Sequence, residues 1–181
     1  TTPAARGIAT QIRSETAIWG TWPAQSPSST QVQGFDVSIQ LAMSVDAVRA
    51  CLRTKATPAV SSLTFASTTP VFSDLQNASM VAGASGLGSN LTTLDAAGSL
   101  RAGTSALMRA LQAGGEGDGI VVAADARRAK PGSTQEMQYG AGSVALRIGS
   151  GNVIARFLGG ASGVSQFIDH FRAEGENFDY Q

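Results

Sequence analysis

The stretch Leu91–Leu111, LTTLDAAGSLRAGTSALMRAL, constrains what this chain can fold into more than any other. An apolar strand pattern at Leu91 and Leu94 passes through the small residues Ala96, Ala97, Gly98 and Ser99 into a helix expected from Ala102. Several enzyme folds mount a nucleophile on such a strand–turn–helix junction. The sharp turn exposes one side chain, and the helix N-terminus stabilises its negative charge. Here the elbow residue is Leu100, which has no nucleophilic chemistry. The scaffold of an active site is expected without its reactive atom.

Alternating elements surround this junction. Phe35–Thr54 places Leu41, Val45, Val48 and Leu52 at three- and four-residue spacings, the stripe of an amphipathic helix, which Lys55–Pro58 ends. Val60–Phe65 reads as a strand, broken by Thr69-Pro70. Gln76–Gly83 reads as a short helix stopped by glycine. Leu91–Leu94 is a strand, and Ala102–Gln112 is a helix closed by Gly114-Gly115. Ile120–Ala124 is a buried-type strand, followed by a polar loop over Ala126–Glu136. Ser143–Ile148 and Asn152–Phe157 flank Gly149-Ser150-Gly151, which predicts a hairpin. Thr21–Gln33 is a Pro/Ser-rich exposed loop, and no core pattern follows Ile168. Together these predict an α/β fold, a βαβαβ unit with a final hairpin.

With 181 residues, one domain with a real core is expected. The 13 basic and 13 acidic residues balance, and the 14% of charged residues form no basic run, which argues against nucleic acid and anionic membrane surfaces as partners. No apolar stretch reaches the roughly 18 residues of a transmembrane helix. The start TTPAARGIAT lacks the apolar segment of a signal peptide. A single cysteine excludes an internal disulfide framework and fits a reducing cytoplasm. The 21 glycines sit mostly outside the periodic segments, where they suit tight turns.

The junction resembles the nucleophile region of the thiolase superfamily, in the branch of ketoacyl synthase III and hydroxymethylglutaryl-CoA synthase. There a catalytic Cys precedes a Gly-Thr-x-Ala-Leu helix start. Gly103, Thr104, Ser105, Ala106 and Leu107 match that start, which sets Leu100 at the Cys position. Other collinear blocks are similar: Phe35–Thr54, Leu63–Asp74, Gly119–Arg127, Gln138–Gly149 and Ile154–Tyr180. The resemblance begins near Gly34, with Arg6–Ala9 as the remnant of a first strand. It implies one thiolase-fold repeat, a mixed β-sheet with helices packed on it. It also divides the chain into an irregular segment over 1–33, a first-half domain over 34–160, and a polar tail over 161–181 leading toward a second half. One repeat alone leaves a helical face that the other repeat normally covers, so a partner or a longer chain is expected.

Departures from the family pattern carry the functional reading. Thr68 stands at the position of the branch's Glu general acid, and Tyr139 replaces the usual acidic residue before the Gly140-Ala141-Gly142 loop. The family's catalytic His and Asn groups belong to the second half. Ser67, Thr68, Thr69 and Ser99 lie at expected strand ends, where open α/β sheets bind ligands. Substrate binding and helix or loop capping are both open for these hydroxyls. Arg101 adjoins the elbow, either to enter a partner's site or to pair with Asp95. Arg127, Arg128 and Lys130 read equally as CoA-phosphate ligands or as solvated charge. Glu136 and Tyr139 are candidate acids or bases if buried, with interface packing the favoured role.

Elsewhere the plainer readings are preferred. Cys51 on the first helix reads as a structural thiol, and His170 in the tail as a solvated side chain. One Cys and one His make no zinc site, and no metal is expected. The glycine clusters Gly83–Gly88 and Gly114–Gly119 lack the order of a phosphate loop.

Three functions follow. The first is a non-nucleophile subunit of a complex that makes or breaks carbon–carbon bonds in acyl-CoA thioesters. It needs no cofactor beyond the CoA thioester substrate. Its partner would be a homologous Cys-bearing subunit, with a small zinc-ribbon and OB-fold protein as a further partner the resemblance suggests. The second is a Cys-independent decarboxylase or retro-aldolase, which needs an oxyanion hole and a base from residues such as Tyr139, Thr68 or Ser99. The third is a non-enzymatic assembly domain.

Overall fold

The computed structural model describes residues 7–8, 36–53, 59–113, 117–150, 153–166, 171–173 and 175–180, with side chains from Ile39 onward. Its elements in chain order are β1 (Gly7–Ile8), α1 (Asp36–Leu52), β2 (Val60–Ala66), α2 (Asn77–Ala84), β3 (Thr92–Ala96), α3 (Ala102–Gln112), β4 (Asp118–Ala126), β5 (Ala141–Ile148) and β6 (Ala155–Arg156). A single 3-10 turn, Thr134–Met137, interrupts the loop between β4 and β5. The expected loop over Thr21–Gln33, the stop at Lys55–Pro58 and the Gly114-Gly115 closure lie outside the described residues.

The main sheet has the order β3-β2-β4-β5. β3 and β4 both run parallel to β2, and β5 runs antiparallel to β4. From β2 the chain crosses through α2 to one neighbour, then through α3 to the strand on the other side. Right-handed crossovers in opposite directions must place their helices on opposite faces. The side chains follow that rule. Leu63, Phe65, Ile120, Val122 and Ala124 point to one face, where they pack with Val45 and Val48 of α1 and Ala78, Val81 and Ala82 of α2. Ala66, Val121 and Ile148 point to the other, against Ala102, Ala106 and Leu111 of α3. Phe65, Leu63 and Ile120 are fully buried, and each contributes about 1.5–3 kcal/mol by leaving water. The result is a mixed α/β sheet between two helical layers.

Among the described residues, the strands predicted over Ser143–Ile148 and Asn152–Phe157 do not pair with each other. β5 pairs with β4 along its whole length, from Gly119↔Ile148 to Ala126↔Ala141. β6 leaves the sheet and pairs instead with β1, Gly7 opposite Arg156 and Ile8 opposite Ala155. The Gly-Ser-Gly turn signal is local, whereas β4 offers an apolar strand eight registered residues long. The register with β4 places β5 at the edge of the sheet. β1, only two residues long, lies where the sequence suggests the remnant of a first strand.

Asp95 of β3 holds the start of α2. Its carboxylate accepts from Asn77 N at 2.7 Å, Ala78 N at 2.7 Å and Asn77 Nδ2 at 2.9 Å. Gln76, at the N-cap, makes no side-chain cap bond of its own, so a neighbouring strand satisfies the orphan amides. The pair between Asp95 and Arg101 considered from sequence is absent, because the carboxylate is already committed to the helix. Arg101 is exposed, and its side chain forms no ion pair among the described residues.

Candidate functional site at the strand ends

The carboxyl ends of β2, β3 and β4 converge, and the polar residues just beyond them form one network. Ala66 is registered with Ala123, so two residues further on Thr68 lies level with Asp125. Asp125 Oδ1 accepts from Thr68 N at 2.7 Å, Thr68 Oγ1 at 2.9 Å, Ser67 Oγ at 3.1 Å and Thr69 Oγ1 at 3.3 Å. Gln40, buried on α1, closes the network from below. Its Nε2 lies 2.6 Å from Ser67 Oγ, 2.7 Å from the Ala124 carbonyl and 3.0 Å from Thr69 Oγ1. The two Nε2 protons of Gln40 are shared among these three acceptors. All three hydroxyls donate to Asp125 and accept from nitrogen, Thr69 from Ala126 N at 3.2 Å and Thr68 from Arg127 Nε at 3.2 Å.

A second tier lies outside the first. Arg127 Nη1 forms a 2.8 Å ion pair with Asp179, and its guanidinium sits 5.7 Å above the Tyr139 ring. Tyr139 donates its hydroxyl to Asp179 at 2.8 Å. Arg172 Nη2 donates to the Thr68 carbonyl at 2.8 Å. Burial pushes the Tyr139 phenol above its ordinary value, and the bond to Asp179 pushes it the same way. A phenol shifted up holds its proton at neutral pH, so Tyr139 is a donor here and not a base. The Tyr139–Asp179 bond is therefore complete below the ordinary tyrosine value and is lost as pH rises through the higher folded value.

The elbow is built as the sequence implies. Gly98 takes φ of +77°, a left-handed turn that glycine adopts without strain. Ser99 O accepts from Ala102 N at 3.0 Å, and Ser99 Oγ accepts from Arg101 N at 3.1 Å. α3 then begins at Ala102. Leu100 projects from this turn 53% exposed. Ser67 N donates to the Ala96 carbonyl at 3.0 Å, which ties the end of β3 to the hydroxyl triplet.

Of the residues singled out from sequence, Ser67, Thr68 and Thr69 come together at one carboxylate. Ser99 serves the elbow turn, and Arg101 stands exposed beside it. Glu136 Oε2 accepts from Gly132 N at 2.8 Å, which closes its own loop. Asp125, Gln40, Arg172 and Asp179 are missed by the sequence reading. Asp125 had one available signal: it follows directly on the apolar strand expected over Ile120–Ala124. His170 lies outside the described residues, and among the described residues no group of three His, Cys, Asp or Glu side chains is placed to hold a metal. Among them also, no helix is long and apolar enough to cross a membrane.

Cys51 sits half-buried in α1, away from this network. Burial raises its thiol above the ordinary cysteine value, and the nearby Arg147 only partly offsets that. The thiolate is the reactive form, so Cys51 is expected to be sluggish. Labelling with a chromogenic disulfide at pH 8 should run at least about tenfold slower in the native protein than after unfolding. Equal rates in the two states would overturn that reading.

Solved structures share this architecture. MvaS in complex with 3-hydroxy-3-methylglutaryl coenzyme A superposes with a TM-score of 0.70 at 22% identity, over 80% of this chain. The chain has a thiolase-like fold. PksG, a HMG-CoA synthase from Bacillus subtilis, matches at a TM-score of 0.67 and 18% identity, over 78% of this chain and 36% of that one. A 3-oxoacyl-(acyl-carrier-protein) synthase III matches at 0.54 and 16%, over 62% of this chain and 36% of that one. The thiolase-like chain thus spans little more than a third of these proteins, 37% in the case of MvaS. No protein-family model matches its sequence, and no curated protein matches it.

Proposed function

We propose that this chain is a subunit of a complex that makes or breaks carbon–carbon bonds in acyl-CoA thioesters, and that it is the subunit without the nucleophile. The observation that carries this reading is the intact elbow with Leu100 at its apex. The turn, the left-handed glycine and the helix start are all present, and a hydrocarbon projects where a reactive side chain would. No other described side chain fills that role. Cys51 lies in α1, and the hydroxyl protons of Ser67, Thr68 and Thr69 all point at Asp125. A hydroxyl nucleophile needs a base that takes its proton toward a reacting atom.

The same commitment counts against the Cys-independent decarboxylase or retro-aldolase. An oxyanion hole needs donors aimed at the developing charge. Thr68 N and the three hydroxyls are aimed at a carboxylate, and Tyr139 gives its proton to Asp179. On our reading a homologous Cys-bearing subunit in the cytoplasm supplies the acyl-enzyme, and this chain helps shape the pocket through Leu100, Arg101 and the Ser67–Thr69 loop. A small zinc-ribbon and OB-fold protein is a further candidate partner. The substrate is a CoA thioester, with no separate cofactor.

Native mass spectrometry of the protein purified from its source tests this. The expected result is a stable complex with a Cys-bearing thiolase-like chain, acylated on that chain's Cys when acetyl-CoA is added. Leu100→Cys in the isolated chain should give no acyl-enzyme, because no described His or Asn is placed to activate it. A lone species that turns over CoA thioesters, or ready acylation of the Leu100→Cys protein, would overturn the proposal.

A further inference from the structure

Residues Phe171 and Tyr180 close a small antiparallel hairpin in the tail. Tyr180 N donates to the Phe171 carbonyl at 2.7 Å, and Phe171 N to the Tyr180 carbonyl at 3.2 Å. Their rings stack with centroids 5.6 Å apart. Both rings remain about half exposed, and neither belongs to a core cluster. The stack ties the two ends of the hairpin together. The preceding stretch, Leu158–Gln166, is exposed throughout.

Among the described residues, the contacts that fasten the hairpin are polar and land on one place. Arg172 holds the Thr68 carbonyl. Asp179, whose side chain is only 3% exposed, receives Arg127 and Tyr139. Arg127 in turn donates to Thr68 Oγ1. Both fastenings therefore converge on Thr68, the residue that gives Asp125 two of its four bonds. A segment that lies outside the core clusters and whose described contacts are polar opens locally at lower cost than the fold as a whole.

We propose that the described arms of the hairpin, 171–173 and 175–180, form a strap over the strand-end network, closed by the Asp179–Arg127–Tyr139 contact and opening when that contact is broken. With Asp179 withdrawn, the bond from Arg172 to the Thr68 carbonyl still joins the described part of the hairpin to the loop. Opening then uncovers the Thr68 carbonyl and the Arg127 guanidinium at the mouth of the strand ends. Arg127 is the link, since it touches strap and loop through different nitrogens. Access to the Ser67–Thr69 loop is on this account a property of the tail, whatever occupies the loop.

Hydrogen–deuterium exchange of the full chain tests this without any CoA thioester, so the strap and the subunit proposal fail separately. In Asp179→Asn, peptides covering 171–180 and 67–72 are expected to exchange together at least about tenfold faster, with the β4 peptide 119–124 unchanged. Tyr139→Phe keeps the ion pair and removes one bond, so it should give a smaller rise in the same two peptides. It also serves where Asp179→Asn accumulates poorly. Faster exchange at 171–180 with none at 67–72 would overturn the proposal, because the hairpin would then cover nothing. No change in either peptide, or a rise that extends to 119–124, would overturn it as well.

Discussion

Asp118→Ala is expected to cost about 3–5 kcal/mol of stability, the range found when one member of a buried ion pair is removed. Asp118 is the first residue of β4, and its Oδ2 receives Arg147 Nε at 2.6 Å. Both side chains are buried. The carboxylate occupies space that a Cβ on Gly149 would invade, since such an atom would collide with its Oδ1 and Cγ. Removing it strips the buried guanidinium of this counter-charge and opens a void in the same step. Against the 5–15 kcal/mol typical of a whole domain, the loss would leave the protein marginal, and urea denaturation would read it directly. Desolvation as the cause makes a second demand. The double replacement Asp118→Leu with Arg147→Met should recover most of the loss, because neither charge is then stranded. A double variant no more stable than Asp118→Ala would mean that the pair contributes by shape and not by charge.

The parts of the fold legible in the sequence are those set by local periodicity. The stripe through Leu41, Val45, Val48 and Leu52 marks α1, and the helix expected over Ala102–Gln112 has those bounds in the structure. The alternation of strand and helix leads to the parallel β3-β2-β4 arrangement, since handed crossovers leave few alternatives. What local pattern could not show is which strand β5 joins. Gly149-Ser150-Gly151 carries a good turn signal, yet the described part of the following strand, β6, pairs with β1. The site divides in the same way. The hydroxyl triplet was visible as a run of three residues after a strand, and the elbow as a run of small ones. Asp125 and Asp179 gain their meaning from register and from a tail contact. Arg172 reaches Thr68 across 104 positions of sequence, a separation at which side-chain partners leave no periodic trace.

Asp125→Ala should cost about 3 kcal/mol, and Asp125→Asn about 1 kcal/mol. The alanine variant removes the acceptor shared by Thr68 N and three hydroxyls. Ser67 Oγ is buried between Gln40 and β4, so its proton has no water to turn to, and an unmet buried donor costs the most. The asparagine variant keeps an oxygen at the Oδ1 position and loses only the charge. Its amide group replaces Oδ2, which has no hydrogen-bond partner among the described residues, so little else has to move. For a chain of 181 residues, thermal melting should register the alanine variant as a fall of roughly 6–12 °C. The asparagine variant should stay within a few degrees of wild type. The contrast separates two ways of holding a loop. If placement of the oxygen governs, the two variants differ as stated and the Ser67–Thr69 loop of Asp125→Asn exchanges its amides at the wild-type rate. If asparagine falls as far as alanine, the negative charge holds the loop. The three hydroxyls would then be dipoles gathered around an anion, and their common aim toward Asp125 would be a consequence of that charge.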